Sequence, residues 1–253
     1  MRQWGQTTRG PLHRVSVAGL MHQSERLAAL KGVPILAELS QARLERVVGI
    51  CRWRDYDAGE RILGYHDLST EVFFLAAGKV RVIIYSADGK AVVFTDLKPS
   101  AMFGEISAID RGPRSAGVEA VERSTIASLT AIQFERLLLE EPAVAVATLR
   151  HVTAEARRLS ERVVEFSTLV VQNRIHAELL RLAADARQEN GQALLSPAPS
   201  LSDIANRIST HREAVSRELS RLASIGLLCR EDGDLRLPDL ARLEKLVREA
   251  KGE

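Results

Sequence analysis

Two oppositely charged residues nine positions apart, Glu105 and Arg114, are the first candidates for binding chemistry in this sequence. They lie in the stretch MFGEISAIDRGPRSAGVEA, residues 102–120, in which Gly104 directly precedes the glutamate. The planar guanidinium of an arginine suits a phosphate anion, and a glycine lets the backbone approach a ligand without a side chain in the way. From the residues alone, this stretch is equally compatible with an anion-binding site and with a turn that only packs.

A second group of polar residues follows Thr210, in the stretch THREAVSRELSRLASIG. If Thr210 caps a helix, the residues of the first turns share one outer face, because positions four apart are neighbours on a helix. An arginine there suits the two acceptors of guanine, and a carboxylate suits the amino group of cytosine. A surface salt bridge between Glu213 and Arg217 is the alternative for that pair. The residues of this face are Arg212, Glu213, Ser216 and Arg217, and His211 is also presented by the first turns.

The elements around this helix indicate how it is presented. After a polar loop at residues 188–200, Ser200 with Asp203 three positions later is typical of a helix start. A tight turn then leads to the second helix, and Asp232-Gly233 suits a two-stranded hairpin behind it. Helix, tight turn, helix and hairpin predict a winged helix-turn-helix.

Residues 52–129 have the texture of an antiparallel β structure. Short apolar or alternating runs follow one another at intervals of about 8 to 12 residues, with turn signals between them. The turns at residues 76–79 and 86–90 are predicted to close β-hairpins, the second through its Asp-Gly pair. We expect a sandwich or barrel rather than alternating β-α units. Two short helices are expected before it, over residues 24–51.

A long helix after the β-rich region carries apolar or small residues at alternating intervals of three and four, which is a heptad repeat. A stripe this narrow favours a helix that pairs with a second copy of itself. The alternative is a helix that lies on its own domain. The residues of this stripe, called the seam below, are Leu149, Val152, Ala156, Leu159, Val163, Phe166 and Val170.

The composition is ordinary for a soluble globular chain. Of 253 residues, 45% are hydrophobic and 27% are charged, with a formal net charge of +2. From residue 175 onward, 12 Lys and Arg stand against 13 Asp and Glu, so only the positions of the arginines argue for DNA. The sequence shows no nucleophile–base pairing, metal-ligand cluster or phosphate-transfer motif. We therefore predict no catalytic residue and no metal site, and a protein that is not an enzyme.

The cysteines and the N-terminus indicate a compartment. Cys51 and Cys229 lie 178 positions apart, and two isolated cysteines make neither a disulfide framework nor a four-thiolate cluster. A reducing, cytoplasmic setting is expected. No apolar run approaches the roughly 18 residues of a membrane span. Residues 1–24 lack the apolar stretch of a signal peptide and are expected to form a flexible extension.

The order of β-rich domain, seam helix and winged helix-turn-helix resembles the cyclic AMP receptor protein (CRP/FNR) family of bacterial transcription regulators, over about residues 34–238. The resemblance implies an α+β fold with an antiparallel β-roll, or jelly-roll, that binds a cyclic nucleotide. A long dimerisation helix and a winged helix-turn-helix that binds DNA complete the implied fold. These domains are expected at residues 25–141, 142–173 and 174–253, after the extension of residues 1–24.

By this resemblance, the stretch around Glu105 is the phosphate-binding cassette of the family. Glu105 is implied to accept a hydrogen bond from the ribose 2′-hydroxyl, and Arg114 to pair with the cyclic phosphate. We expect Glu105 to stay charged beside Arg114, so that the two residues pair when no nucleotide is bound. The residues implied in nucleotide binding are Phe103, Gly104, Glu105, Ile106, Arg114, Ser115, Ala116, Leu159 and Ser160.

The identity of the purine stays open. A hydroxyl after the arginine, as at Ser115, helps to bind cyclic GMP in some related modules but also occurs in the bacterial cyclic AMP receptor. The family places two neighbouring hydroxyl residues of the long helix on the adenine, from both subunits, and this sequence keeps Ser160 but has Leu159 for the other. The allosteric ligand is therefore predicted to be cyclic AMP, cyclic GMP or both, without a further cofactor. A vestigial pocket or another small-molecule effector is the alternative.

The stretch REAVSR, from Arg212 to Arg217, matches the recognition helix of the family. The resemblance implies that the two arginines and Glu213 read a TGTGA-type half-site, and that a homodimer binds a pseudo-palindromic operator. RNA polymerase is implied as a further partner. The residues implied in DNA binding are Ser202, Thr210, His211, Arg212, Glu213, Ser216 and Arg217.

Overall fold

The structure is a computed structural model that describes residues 21–86 and 90–252. Most of the extension expected at residues 1–24 lies outside the described residues, and the first helix begins at Gln23. The helices are α1 (Gln23–Lys31), α2 (Gln41–Ile50), α3 (Glu105–Asp110), α4 (Ala131–Glu140), α5 (Pro142–Thr168), α6 (Val171–Ala183), α7 (Leu201–Arg207), α8 (Arg212–Ser224) and α9 (Leu240–Lys251). The strands are β1 (Arg52–Tyr56), β2 (Arg61–Leu63), β3 (Val72–Ala77), β4 (Val80–Tyr85), β5 (Ala91–Leu97), β6 (Met102–Phe103), β7 (Gly117–Ala120), β8 (Ser124–Leu129), β9 (Ala193–Leu195), β10 (Cys229–Glu231) and β11 (Asp234–Leu237).

Two four-stranded antiparallel sheets form the N-terminal domain, in the orders β1-β8-β3-β6 and β2-β7-β4-β5. The two sheets share a buried core that includes Tyr56, Phe73, Val80 and Ile126. Aromatic and β-branched side chains of this kind fit a pleated surface that is buried on one face. The expected antiparallel β-roll is confirmed, and with it the α+β fold.

The two predicted hairpin turns have different outcomes. Because β4 and β5 pair with each other, the hairpin over residues 86–90 is confirmed, with residues 87–89 outside the described part. The hairpin predicted at residues 76–79 is wrong, because β3 pairs with β6 and β8 whereas β4 pairs with β5 and β7. This turn carries the chain from one sheet to the other. Gly78 makes it possible, since its φ is +88° and a Cβ would lie 2.4 Å from the carbonyl oxygen of Arg123.

Helices α1, α2 and α4 cover the outer face of the first sheet, together with the start of α5. Their shared core includes the buried side chains of Leu30, Leu44, Phe74, Phe134 and Val144. The two short helices expected before the β-rich region are confirmed as α1 and α2. This packing holds the first turns of α5 against the β-roll. It therefore sets the direction of the rest of α5.

Helix α5 is 27 residues long and leads from the β-roll to the C-terminal domain. At 1.5 Å per residue, a helix of this length spans roughly 40 Å. Its seam is largely exposed, with 68% of Leu149 and 65% of Val163 accessible to solvent. Val170, the last seam residue predicted from the sequence, lies beyond α5 and precedes the first residue of α6.

The C-terminal domain contains the predicted winged helix-turn-helix. Helices α6 to α9 share a core that includes Ile175, Ile204, Leu219 and Leu243. β10 and β11 form the expected hairpin. β9 pairs with β11 and lies within the stretch interpreted as a polar loop. It was not predicted because three residues, Ala193–Leu195, are too few to show a strand pattern.

Within the described part of the chain, no helix combines the length and the apolar character needed to cross a bilayer. Cys51 and Cys229 are both free thiols. Burial raises the pKa of Cys51 to about 12, so this thiol stays protonated near neutral pH and is a poor nucleophile.

Candidate functional site

A cavity of about 340 Å³ lies where β6, α3 and β7 face β5 and one side of α5. Eight of the nine residues predicted to bind a nucleotide line it: Phe103, Gly104, Glu105, Ile106, Arg114, Ser115, Ala116 and Leu159. The ninth, Ser160, is exposed outside the cavity, and its hydroxyl donates to the carbonyl oxygen of Ala156 at 3.0 Å. Residues of the β-roll cassette and residues of α5 therefore line the same cavity.

Gly104 joins β6 to α3 and brings the backbone against Arg114. Its φ of +80° is a conformation that favours glycine. A Cβ at this position would lie 2.8 Å from Nη1 of Arg114, 3.0 Å from the carbonyl oxygen of Glu71 and 3.1 Å from the ring of Phe73. Both the backbone conformation and the lack of space require the glycine that begins the cassette.

The guanidinium of Arg114 is buried, with 2% of the side chain exposed, and is held by three hydrogen bonds. Nε donates to Oγ of Ser69 at 3.0 Å, while Nη1 and Nη2 each donate at 2.9 Å, to the carbonyl oxygens of Gly104 and Glu71. Since a guanidinium has five N–H donors, one on each terminal nitrogen is left for a ligand. Burial lowers the pKa of Arg114, and the charge of Glu71 opposes this.

Glu105 is the first residue of α3, and its carboxylate is largely enclosed. Burial raises its pKa, and a backbone hydrogen bond to the carboxylate works in the opposite direction. The ion pair expected between Glu105 and Arg114 does not form. Nη2 of Arg114 lies 3.6 Å from Oε2 of Glu71 instead, and Oε1 of Glu105 lies 4.0 Å from Nε2 of His151. The reason is that Ser69 and two backbone carbonyls hold the guanidinium away from Glu105.

One face of α5 forms the wall opposite the cassette, with three residues that the sequence reasoning missed. His151, Glu155 and Arg158 all line the cavity. Nη2 and Nε of Arg158 donate to Oε2 of Glu155 at 2.5 and 3.0 Å, so a cation and a carboxylate face the cavity as a pair. Their spacing of four and three matches that of the seam and could have revealed them. Ser69 and Glu71 lie in the loop before β3, where no motif marks them.

The first helix of the DNA-binding unit begins as predicted. At the start of α7, Oγ of Ser200 accepts a hydrogen bond from the backbone N–H of Asp203 at 3.0 Å. Ser202, the residue of this helix predicted to contact DNA, is exposed in the first turn.

The predicted start of the second helix is wrong by one residue. α8 begins at Arg212 after His211, which supplies no side-chain cap, and Thr210 does not cap it. The backbone N–H of Thr210 donates to the carbonyl oxygen of Ala205 at 3.0 Å. Thr210 therefore belongs to the tight turn, in which Ser209 adopts a left-handed φ of +51°.

The predicted DNA-reading face is exposed at the start of α8. Arg212 and Glu213 have 69% and 65% of their side chains exposed, with 3.7 Å between Nε and Oε1. Glu213 therefore pairs with Arg212 rather than with Arg217. Ser216 and Arg217 are also exposed, one turn further along. The face presents two guanidinium groups and one carboxylate to solvent, which is a set of groups able to contact base edges.

A buried polar contact fixes α8 on α6. Nε2 of His176 and Oε1 of Glu218 lie 2.6 Å apart, and both side chains are 3% exposed. Arg221 donates to both carboxylate oxygens of Glu218. Burial alone would raise the pKa of Glu218, but its hydrogen bonds with Arg221 and His176 hold it below its usual range. The inner side of the helix is thus anchored while its outer side stays free.

Comparison with known proteins finds two domains in this chain. The family model of the cyclic nucleotide-binding domain matches residues 53–141, and that of the Crp-like helix-turn-helix domain matches residues 173–246. The cyclic AMP receptor protein of Thermus thermophilus is 31% identical over 223 residues, which are 86% of this chain and 98% of that protein. The CRP-like cAMP-activated global transcriptional regulator of Mycobacterium tuberculosis is 24% identical over 195 residues, or 77% of this chain and 87% of that protein.

Among solved structures, a mutant of CooA from Carboxydothermus hydrogenoformans superposes with a TM-score of 0.71. The two sequences are 21% identical, and the match covers 85% of this chain and 94% of that one. This likeness concerns the fold alone.

Proposed function

The chain belongs to the CRP/FNR family and is a CRP-like DNA-binding transcription regulator, and we propose that it acts as a homodimer controlled by cyclic AMP. The single observation that carries this proposal is the cavity of about 340 Å³, in which Glu105 and Arg114 face Glu155 and Arg158. A ligand held there contacts the β-roll and the helix that leads to the DNA-binding domain at the same time. Binding that favours one arrangement of these parts then shifts the population toward it.

We assign the cyclic phosphate to Arg114. A buried phosphate anion needs a cationic partner with directed donors, and this guanidinium has one free N–H on each terminal nitrogen. We assign the ribose 2′-hydroxyl to Glu105, which would accept its hydrogen bond. The remaining cassette residues Phe103, Gly104, Ile106, Ser115 and Ala116 supply the floor of the cavity around these two groups.

We assign the purine to the wall formed by α5. The Glu155–Arg158 pair presents an acceptor beside a donor. Adenine needs this combination, because it has an amino donor next to a ring-nitrogen acceptor. The major-groove edge of guanine has two acceptors, O6 and N7, which Arg158 could serve but which would leave Glu155 without a partner. The relatives from Thermus and Mycobacterium are also named for cyclic AMP.

Cyclic GMP is the second candidate, because the hydroxyl of Ser115 lines the cavity next to Arg114 and could accept from the guanine amino group. Titration calorimetry with both nucleotides decides between them. We expect cyclic AMP to bind at least tenfold more tightly, and Glu155→Ala to remove this preference, while Glu161→Ala, an exposed change on the same helix, leaves it intact. Preferential binding of cyclic GMP would reverse the assignment. Binding of neither nucleotide by folded protein would favour a vestigial pocket or another effector.

The homodimer proposal is supported by the exposed seam of α5. Leu149, Val163 and Phe166 are 68%, 65% and 37% exposed, and a contiguous apolar stripe of this kind marks a binding surface. A second copy of the same helix has the matching heptad spacing and would cover the stripe. In such a dimer, Ser160, which lies outside the cavity of its own chain, would lie near the nucleotide bound by the other copy.

We propose that the exposed start of α8 reads a TGTGA-type half-site, and that the dimer binds two such half-sites in a pseudo-palindrome. Arg212 and Arg217 would donate to guanine, and Glu213 would accept from cytosine. The predicted contacts Ser202 and Thr210 are assigned to the phosphate backbone, which serine and threonine hydroxyls commonly contact, and His211 beside them is assigned to the same backbone. RNA polymerase is the proposed protein partner, and the cytoplasm the proposed location.

A further inference from the structure

We propose that six residues of alternating charge transmit the nucleotide signal from the cavity to the DNA-binding domain. They are called the charge chain below: Arg162, Glu178, Arg207, Asp96, Arg81 and Asp203. This inference rests on the proposed function and deepens it, because it names the residues that couple the same ligand to DNA. The charge chain joins helices α5, α6 and α7 to the β4–β5 hairpin.

The first half of the charge chain runs from α5 to β5. Nη1 of Arg162 donates to Oε2 of Glu178 at 2.8 Å, and Oε1 of Glu178 lies 3.7 Å from Nη1 of Arg207. The other terminal nitrogen of Arg207 donates to Oδ2 of Asp96. Arg162 also donates to the backbone carbonyl of Arg207, so that the last residue of α7 is held through both its side chain and its backbone.

The second half of the charge chain returns from the hairpin to the first turn of α7. Nε and Nη2 of Arg81 donate to the two carboxylate oxygens of Asp96 at 2.7 and 3.1 Å. Nη1 of Arg81 donates to Oδ1 of Asp203 at 2.6 Å. Helix α7 is therefore tied to the hairpin at both of its ends, by Asp203 in its first turn and by Arg207 as its last residue.

Burial of its side chains makes the charge chain specific for one arrangement of the helices and strands that carry it. The side chains of Glu178, Arg207 and Arg162 are 4%, 7% and 12% exposed, and the three cations of the chain balance its three anions. A buried charge that loses its partner is strongly destabilising, whereas the paired set adds little beyond what apolar packing would give. In this proposal, the set acts by selecting one relative position of its elements. Here those elements belong to the sensor domain and the DNA-binding domain.

Two members of the charge chain, Asp96 and Arg162, lie next to residues that line the cavity. Thr95 and Leu97 line it, and Asp96 lies between them on β5, where neighbouring side chains point to opposite faces. On α5, Arg158 lines the cavity and Arg162 follows one turn later on the same side of the helix. A ligand that shifts β5 relative to α5 therefore moves the two supports between which α7 is held.

The charge chain controls the position of α8, the proposed recognition helix. α7 leads into α8 through the tight turn at residues 208–211, so the two helices move together. The reading face around Arg212 and Arg217 stays exposed while α7 is held. The charge chain therefore leaves the reading face accessible to DNA. It also links the orientation of that face to whether a ligand occupies the cavity.

Two conservative variants test the proposal in the full-length protein. Asp203→Asn keeps the hydrogen bond with Ser200 but removes the charge facing Arg81, and Arg81→Gln removes the cation. The measured quantity is the ratio of the operator Kd without cyclic AMP to that with saturating cyclic AMP, from fluorescence anisotropy. We expect this ratio to fall at least about fivefold in both variants, since coupling between two sites typically spans about 5- to 150-fold. The double variant should lose no more than Arg81→Gln alone.

A matched control is Arg54→Gln, which breaks the 2.6 Å pair with Glu60 in the same domain, away from the cavity that the nucleotide is proposed to occupy. Its ratio should equal that of the wild type. The affinity of each variant for cyclic AMP without DNA should stay within about threefold of the wild type, because the charge chain does not line the cavity. By reciprocity, the gain in cyclic AMP affinity on adding operator should shrink by the same factor as the operator ratio.

Two results would overturn the charge chain while leaving the proposed function in place. One is that both variants show the same ratio of operator Kd values, without and with cyclic AMP, as the wild type. The other is an equal loss of operator affinity with and without nucleotide, which would assign these residues a purely structural role. If the wild type itself shows no effect of cyclic AMP, the proposed function fails and the charge chain with it. Hydrogen exchange of the β8 and α8 amides, expected to match the wild type, shows that each variant is folded.

Discussion

Replacing Arg114 with lysine tests the proposed phosphate site at its centre. Lysine keeps the positive charge but has three donors on one nitrogen in place of five on a planar fork. It cannot reach Ser69 and the carbonyl oxygens of Gly104 and Glu71 together, as the guanidinium does. It also cannot direct two further donors toward a phosphate.

The size of the effect follows from the number of bonds lost. Each hydrogen bond to a charged group contributes about 1.5–3 kcal/mol. Loss of two of the three bonds within the protein lowers the free energy of unfolding by roughly 3–6 kcal/mol. Loss of one of the two proposed ligand bonds weakens cyclic AMP binding by about 1.5–3 kcal/mol, which is roughly a 10- to 150-fold rise in Kd.

Urea denaturation measures the first effect and titration calorimetry the second. Arg123→Lys is the control, because Arg123 pairs with Asp55 at 3.2 Å on the surface with 67% of its side chain exposed, and both quantities should match the wild type. Ser69→Ala removes one support of Arg114 and spares both ligand donors, so its Kd should stay within about threefold of the wild type. If folded Arg114→Lys binds cyclic AMP as tightly as the wild type, Arg114 does not hold the phosphate.

Three further outcomes are expected. Val163→Glu places a charge on the 65% exposed seam and should turn the dimer into a monomer in light scattering, and a dimer of wild-type stability would show that the seam does not pair. Arg217→Ala should cost about 1–3 kcal/mol of discrimination at one base pair in competition gel shifts, and an unchanged preference would remove it from the base-reading set. Burial raises the pKa of Glu105, so the folded state binds its proton more tightly than the unfolded state does. The stability from this group is full below the usual carboxyl pKa and is lost as the pH rises through the raised value. Glu105→Gln should remove that loss of stability from ligand-free protein when denaturation is measured at increasing pH above the usual carboxyl pKa, and an unaltered slope would contradict the assignment.

The local elements of this protein could be predicted because each carries a short-range signal. Ser200 lies three residues before the N–H that it caps, and the β4–β5 hairpin closes over five residues, 86–90. The seam repeats every seven residues, and six of its seven residues lie within the single helix α5. Physical rules that act over a few residues were enough for these features, and their order along the chain predicted the α+β fold.

Features that depend on distant partners could not be predicted in the same way. Arg114 is held by Ser69 and Glu71, which lie 45 and 43 positions away in sequence, so the expected pair with Glu105 gave way to contacts that no motif marks. The turn at residues 76–79 shows that the chain reverses but does not indicate which sheet it enters. The charge chain joins Asp96 to Arg207 across 111 positions, and only the packing of two domains brings them together.

The measurement that tests the central claim most directly is the affinity of the wild-type protein for a pseudo-palindromic TGTGA operator, with and without cyclic AMP. Fluorescence anisotropy at fixed ionic strength gives both Kd values, and an operator with scrambled half-sites corrects for binding to the phosphate backbone. We predict that saturating cyclic AMP tightens operator binding at least about fivefold and leaves binding to the scrambled DNA unchanged. Equal affinity for the operator in the presence and absence of cyclic AMP would contradict control by this nucleotide.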